Sequence, residues 1–289
     1  MHSRQPSDYV AQALSVRCRT ELGLRAPHAP DADSAGVKVW IFVAKKSAYT
    51  GNLLLRSLSP ADLQRLTGDH APIGLNYSDV LIEPGERIRH VYFPIDSFIS
   101  LITPGTVRTQ LEIGIVGNEG MLGVPLLMGV NVSPLRGLVQ GAGHCWRVEA
   151  ATFLQAVEQS PELRATLNLY LYVFMAQLMQ TASCTRFHLI QARLARWLLM
   201  TRDRAHSSQF HITHEFLACM LGVRRVGVTR AASTLQRRKV ISYNRGDLTI
   251  LDVRALERAA CPCYATDKKI YTRILRKGIE SVGREPLVA

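Results

Sequence analysis

The stretch THEFLACMLGVRRVGVTRAASTLQRR, residues 213–238, contains two predicted helices separated by Gly222. Thr213 is of a residue type that caps helices, and apolar residues at helical spacing follow it as far as Leu221. Gly222 suits a tight turn, and a second helix is predicted from about residue 224 to 238. Two helices joined by a turn that contains glycine are the sequence form of a helix-turn-helix.

One side of the second predicted helix is polar and rich in arginine. Its residues are Arg224, Arg225, Thr229, Arg230, Ser233 and Arg237. Arginine pairs bidentately with the edge of guanine in the major groove, and residues near the start of a recognition helix reach bases. An arginine-rich face that is merely solvated is also common, so the interpretation depends on the neighbouring sequence.

A β-hairpin is predicted directly after this helix. Residues 240–243 and 248–251 have the composition of two short strands around the turn Asn244-Arg245-Gly246-Asp247. This hairpin would form a wing whose Asn244 and Arg245 point toward a DNA backbone. The glycine turn and the wing together favour a DNA-binding winged helix over a solvated face.

The positive charge is confined to the end of the chain. The 289 residues carry a net charge of +12, and residues 186–289 hold 20 Lys and Arg against 8 Asp and Glu. Residues 1–185 hold 15 of each sign. A neutral body with a basic end indicates a domain for a polyanion, and nucleic acid is favoured over an anionic membrane. No apolar run is long enough to span a bilayer and no secretory signal opens the sequence, so a cytoplasmic protein is expected.

The first 160 residues contain two kinds of sequence. Residues 1–50 show no sustained periodicity, and we expect a flexible leader or a start codon placed too far upstream. Residues 51–160 begin with a helix-start signal at Ser59-Pro60 and continue as short runs of Val, Ile, Phe and Tyr between glycine and proline turns. Short strands at this spacing predict a β-barrel or sandwich.

A long helix is predicted over residues 161–185, with apolar residues around much of its circumference. Such a helix must bury more than one side. Residues 161–184 would therefore pack on the barrel and on a second copy of the chain, or else form an internal core helix of a monomer. A further helix over about 187–203 opens the basic domain, residues 186–260, and residues 261–289 are expected to form a helical tail.

The order of a β-roll, a long helix and a winged helix resembles the Crp/Fnr family of bacterial regulators over roughly residues 52–260. The most specific stretches are Tyr92–Ser97, Gly114–Val124 and Ile212–Asp252. The resemblance implies an α+β fold with a cyclic-nucleotide-binding-like jelly roll, a dimerisation helix and a C-terminal winged helix-turn-helix. It also implies a homodimeric, sequence-specific transcription regulator whose partners are double-stranded DNA and RNA polymerase.

The same resemblance assigns roles within the helix-turn-helix. Arg225, Val226 and Arg230 fall at base-reading positions, and Thr213 falls at a phosphate-contacting position. Val226 stands where the family often has glutamate. The preferred DNA sequence should therefore differ from the usual half-site, with an apolar contact to a thymine methyl group at this position.

The effector site departs from the pattern of family members that bind cyclic AMP. Met121 takes the place of the glutamate that binds the ribose, and Leu135 and Arg136 stand about where an Arg-Ser pair would hold the cyclic phosphate. Arg136 alone retains the charge to attract an anion, one residue out of register. Because charge-assisted contacts are lost, we expect no response to cyclic AMP and an effector that is unknown or lost.

No cofactor or metal site is predicted. An iron–sulfur sensor of this family needs clustered N-terminal cysteines, and the sequence has only Cys18 there. Candidate haem ligands are isolated histidines without a supporting pattern, namely His90, His144 and His188.

The pair Cys261-Pro-Cys263 is a weak metal or redox signal, because no second cysteine pair lies nearby in sequence. Three histidines are close enough in sequence to supply further ligands, namely His206, His211 and His214. A structural or incidental role is favoured over a zinc site or a thiol switch.

An enzyme with a docking basic domain is the alternative class, but the sequence contains none of the usual phosphate-loop, nucleophile-elbow or zinc-protease motifs. The glycines of residues 117–123 follow a predicted strand and open no helix, so they form a turn rather than a dinucleotide site. An architectural or RNA-binding winged helix is a third possibility. Duplex DNA is favoured because the deep groove of A-form RNA excludes a recognition helix.

Overall fold

The computed structural model describes residues 51–106 and 109–276. The predicted leader, residues 1–50, and the part of the predicted tail after residue 276 lie outside the described residues. In chain order, the elements are α1 (Leu53–Arg56), α2 (Pro60–Thr67), β1 (Ile73–Leu75), β2 (Val80–Ile82), β3 (His90–Pro94), β4 (Phe98–Ile102), β5 (Glu112–Val116), a 3-10 helix (Val124–Met128), β6 (Arg136–Gly141), β7 (Gly143–Glu149), α3 (Ala150–Gln159), α4 (Pro161–Phe187), α5 (Ile190–Ala205), β8 (Gln209–His211), α6 (His214–Leu221), α7 (Arg225–Arg237), β9 (Ile241–Asn244), β10 (Asp247–Ile250), α8 (Val253–Ala259), α9 (Cys263–Tyr271) and a π-helical turn (Thr272–Arg276).

The first seven strands form the predicted β-roll. One sheet has the antiparallel order β2-β6-β4-β5, and the other has the antiparallel order β1-β7-β3. Side chains from both sheets belong to one buried core, among them Phe93, Ile99 and Val139. The β-branched and aromatic runs of the sequence thus form strands because each of them can fill this core.

Helix α4 covers the β5 edge of the roll. Ser160 caps the helix by accepting a hydrogen bond from the amide of Leu163, and Pro161 occupies its first turn. Phe174 and Leu178 pack over Gly114 of β5. The helix was predicted correctly from residue 161, and it continues to Phe187.

Helix α5 begins three residues later than predicted. His188 and Leu189 have extended backbones that separate α4 from α5, which starts at Ile190 rather than at residue 187. The bend turns the chain toward the basic domain. There, α5 packs against α7 and α8.

The predicted wing is present, with one strand that the sequence did not reveal. β9 and β10 pair in register from Asn244 opposite Asp247, and β8 adds a third strand on the other side of β10. Arg245 and Gly246 both have positive φ, as a two-residue type I′ hairpin requires. Within the described residues, no helix has both the length and the apolar composition needed to cross a membrane.

Candidate nucleic-acid interface

The turn between α6 and α7 follows from two local signals. The Thr213 hydroxyl accepts a hydrogen bond from the amide of Phe216 at 3.1 Å and caps α6. Gly222 ends that helix in the left-handed region, with φ of 61°. A Cβ atom there would lie 2.9 Å from Leu111 Cδ1 in the loop before β5, so the position favours glycine in both backbone conformation and space.

Helix α7 buries one side and exposes the other. Its buried residues are Val228, Ala231, Ala232 and Leu235. The five predicted DNA-contacting residues in and before this helix share the exposed side, namely Arg224, Arg225, Val226, Thr229 and Arg230. Val226 is apolar and 59% exposed, so its methyl groups are accessible on the same side of the helix as the arginines.

Two of these exposed residues have polar neighbours. Arg225 Nε lies 3.8 Å from Glu215 Oε2 on α6, and both side chains are largely exposed. Such a pair is weak in water and leaves the guanidinium available to another partner. The Thr229 hydroxyl donates to the Arg225 carbonyl and lies 3.0 Å from His214 Nδ1, so its position is fixed within the first turns of α7.

The wing is fastened to the start of α6 by an aromatic contact. The rings of His214 and Tyr243 stack with centroids 4.4 Å apart, and Tyr243 donates its hydroxyl hydrogen to the Ile212 carbonyl at 2.7 Å. Burial, helped by the charge of Arg225, lowers the pKa of His214 and keeps the ring neutral. The sequence analysis did not assign this role to either residue.

Asn244 and Arg245 lie at the exposed tip of the wing. Arg238 and Lys239, at the end of α7, are exposed as well. The sequence pattern predicts no DNA-contacting role for these two, although their location adds positive charge to the same domain. The residues predicted to contact DNA thus lie on three parts of the same domain, namely Thr213, the exposed side of α7 and the wing tip.

A cavity of about 290 Å³ lies between the roll and α4, where the effector site was expected. Met121, which is fully buried, and Leu135 are part of a lining that is almost entirely apolar. Arg136 is engaged elsewhere, because its Nε atom lies 2.8 Å from Glu83 Oε2. The pairing with Glu83 offsets the positive charge of Arg136, which from the sequence alone is expected to attract an anion.

A buried carboxylic acid joins the roll to the basic domain. Glu112 of β5 accepts hydrogen bonds from Trp197 Nε1 on α5 at 2.7 Å, from Gln140 Nε2 at 3.2 Å and from the Ser100 hydroxyl. Burial raises the pKa of Glu112 to about 7, although the hydrogen bonds from Ser100 and Trp197 and the charges of Arg204 and Arg196 oppose the shift. A second link is the ion pair of Arg204 with Glu119, at 2.6 Å.

The three histidines considered as partners for Cys261 and Cys263 have other contacts or positions. His211 pairs with Asp247 at 2.8 Å, His214 stacks on the wing, and His206 ends α5 with an exposed side chain. The side chains that do lie beside the cysteine pair are Cys184 and His188. His188 had been considered in sequence only as an isolated histidine.

Comparisons with known proteins agree with this architecture. Residues 192–259 match the profile of the Crp-like helix-turn-helix domain. FixK2 from Bradyrhizobium japonicum superimposes with a TM-score of 0.56 at 12% identity, over 66% of this chain and 97% of FixK2. A CRP-family transcriptional regulator from Thermus thermophilus gives 0.53 at 18% identity, over 65% and 96% of the two chains.

A third similar structure is CLP of Xanthomonas campestris, a global regulator that responds to c-di-GMP. It gives a TM-score of 0.56 at 15% identity, over 66% of this chain and 99% of CLP. No curated protein matches the sequence. At these identities the structural likeness shows the fold, and the profile match identifies the helix-turn-helix within it.

Proposed function

Since the chain carries a Crp-like helix-turn-helix on the fold of the Crp/Fnr transcription regulators, we propose that it is a sequence-specific DNA-binding regulator rather than an enzyme. The observation that carries the proposal is the exposed face of α7, where arginines surround the exposed Val226. We further infer that the protein works in the cytoplasm, together with RNA polymerase.

Base recognition is assigned to three side chains near the start of α7. Arg225 and Arg230 are exposed and can each form a bidentate pair with guanine. Val226 lies between them in sequence, and its methyl groups suit the methyl group of thymine. Arg224, at the N-cap, adds charge close to the phosphates.

Phosphate contacts are assigned to Thr213 and the wing, whereas Thr229 uses its hydroxyl hydrogen within α7 and helps to hold the recognition helix. The Thr213 oxygen already accepts the Phe216 amide, so the hydroxyl retains its hydrogen to donate to a phosphate oxygen. Asn244 and Arg245 at the wing tip can reach a second stretch of backbone. These contacts fix the register of α7 on the duplex without reading sequence.

A homodimer is supported by the outer side of α4. Tyr172, Met175 and Met179 are 56%, 50% and 62% exposed, and their spacing of three and four places them on one side of the helix. This side faces away from the buried residues Leu163 and Tyr170, which pack against the roll. Packing two such faces together would remove the apolar side chains from water and set two recognition helices about 34 Å apart.

The cavity beside α4 supports an apolar effector rather than a cyclic nucleotide. A phosphate needs a positive partner, and the lining around Met121 and Leu135 offers methyl and thioether groups instead. Calorimetric titration with cyclic AMP should therefore give no binding at micromolar concentration. Micromolar binding of any cyclic nucleotide would contradict this part of the proposal.

The proposal is tested by replacing arginines with lysine, which keeps the charge but loses the planar fork. We expect Arg225→Lys to weaken binding to a duplex selected from random sequence by about tenfold to a hundredfold. Arg164→Lys, on the exposed start of α4, is the matched control and should have no effect. Fluorescence anisotropy measures both. Equal losses in the two variants, or duplex RNA that competes as well as duplex DNA, would overturn the proposal.

A further inference from the structure

Four metal-ligating side chains converge where α4 meets the C-terminal helices. They are Cys184 in the last turn of α4, His188 directly after that helix, and Cys261 and Cys263 on either side of the start of α9. One ligand atom from each lies within 4.8 Å of all the others. The three cysteines are buried, at 2%, 5% and 2% exposure.

We propose that these four side chains bind one zinc ion. Cys184 Sγ lies 3.5 Å from Cys261 Sγ, and Cys263 Sγ lies 3.4 Å from His188 Nδ1. A tetrahedral zinc ion, with bonds of about 2.3 Å to sulfur and about 2.0 Å to nitrogen, separates its ligand atoms by about 3.5–3.8 Å. The side chains are therefore near the required spacing before any rearrangement.

The surroundings suit a negatively charged thiolate cluster. Gln180 Nε2 donates to Cys263 Sγ at 2.9 Å and can orient this ligand as an outer hydrogen-bond donor. Two buried arginines, Arg193 and Arg196, line the same small cavity as Cys184. Arg196 is paired with Asp267 at 2.8 Å, whereas Arg193 donates to the neutral carbonyl of Leu221. The guanidinium group of Arg193 can therefore offset the single excess negative charge of three thiolates around a divalent ion.

The donor set indicates which metal binds and what it does. Three thiolates and an imidazole select zinc over the oxygen-binding ions magnesium and calcium. Four protein ligands leave no open position for a substrate, so the ion is structural rather than catalytic. It would join the end of α4 to the connection between α8 and α9, across the bend between α4 and α5. Zinc binding goes beyond the proposed DNA-binding function and can be measured without DNA.

The first test is the zinc content of the full-length protein, purified under reducing conditions without chelator. Elemental analysis should give one zinc per chain, and a thiol-modifying mercurial should release it. Cobalt loading should produce the visible absorption of a tetrahedral site together with thiolate-to-cobalt charge transfer. A zinc content well below one per chain, combined with failure to take up cobalt, would overturn the proposal.

The second test uses matched cysteine variants. Cys263→Ser should lose most of the zinc, whereas Cys219→Ser, at a buried thiol of α6 outside the cluster, should retain one zinc per chain. Circular dichroism checks that both variants are folded. If Cys263→Ser does not fold, the zinc and cobalt measurements on the unmodified chain still decide whether the protein binds zinc. Full zinc content in folded Cys263→Ser would refute the site.

Discussion

Replacing Glu112 with glutamine should stabilise the protein at pH 8 and leave its stability nearly unchanged at pH 4. Glu112 lies in the contact between the roll and α5, where it accepts hydrogen bonds from Trp197 and Gln140. Glutamine keeps one oxygen to accept the Trp197 hydrogen bond, and its amide group can donate to the Ser100 oxygen, but it cannot accept from Gln140 Nε2. It removes the charge that the buried site disfavours. The loss of the Gln140 hydrogen bond is the same at both pH values, so the difference between them reports the charge.

The magnitude follows from the pKa of Glu112, which burial raises from 4.5 to about 7. Below about pH 4.5, such an acid is protonated in both the folded and the unfolded state. Its raised pKa then has no effect on the free energy of unfolding. As the pH rises from 4.5 to 7, the unfolded state loses its proton first, and the free energy of unfolding falls. At about 1.36 kcal/mol for each pKa unit, the buried charge lowers the free energy of unfolding by about 3 kcal/mol above pH 7.

The assay is urea unfolding of the unmodified chain and of Glu112→Gln at pH 4 and pH 8. Thermal unfolding should show the same trend, with the variant about 6–12 °C more stable at pH 8. Glu158→Gln is the control, because this carboxylate is exposed on α3 and should give no such difference. If Glu112→Gln changed stability equally at both pH values, or destabilised the protein at pH 8, the argument from burial would be wrong.

Three further substitutions test other parts of the molecule. Met179→Asp should raise the dimer dissociation constant by about tenfold or more in analytical ultracentrifugation, because a carboxylate would be buried in the proposed dimer face; an unchanged dimer would exclude that face. Val226→Glu should change the preferred base from thymine to cytosine in a binding-site selection, since a carboxylate accepts from the cytosine amino group. Gly222→Val should lower the free energy of unfolding by about 1–3 kcal/mol in urea, because its backbone has φ of 61° and its new Cβ atom would meet Leu111; unchanged stability would contradict the strain.

The helix-turn-helix was predictable because its signals are local. The Thr213 cap, the Gly222 turn and the Arg245-Gly246 hairpin each depend on residues a few positions apart. The sequence predicted α7 from about residue 224 to 238, and it runs from Arg225 to Arg237. β8 was missed because three residues, Gln209–His211, are too few to show a periodic pattern.

Contacts between distant parts of the chain could not be read from spacing. Glu112 and Trp197 are 85 residues apart, and Cys184 and Cys261 are 77 residues apart. The first contact depends on how α5 packs against β5 of the roll, and the second on how α4 packs against α9. For the same reason, the histidines close to the cysteine pair in sequence do not lie beside it, whereas folding brings Cys184 and His188 to it.

Selection of binding sites from random duplex DNA, with the purified full-length chain at two salt concentrations, shows whether a dimer reads DNA sequence through α7. Such a dimer should select a two-fold symmetric consensus with half-sites one helical turn apart, and thymine opposite Val226. Binding without any consensus, governed only by a steep dependence on salt, would contradict this prediction.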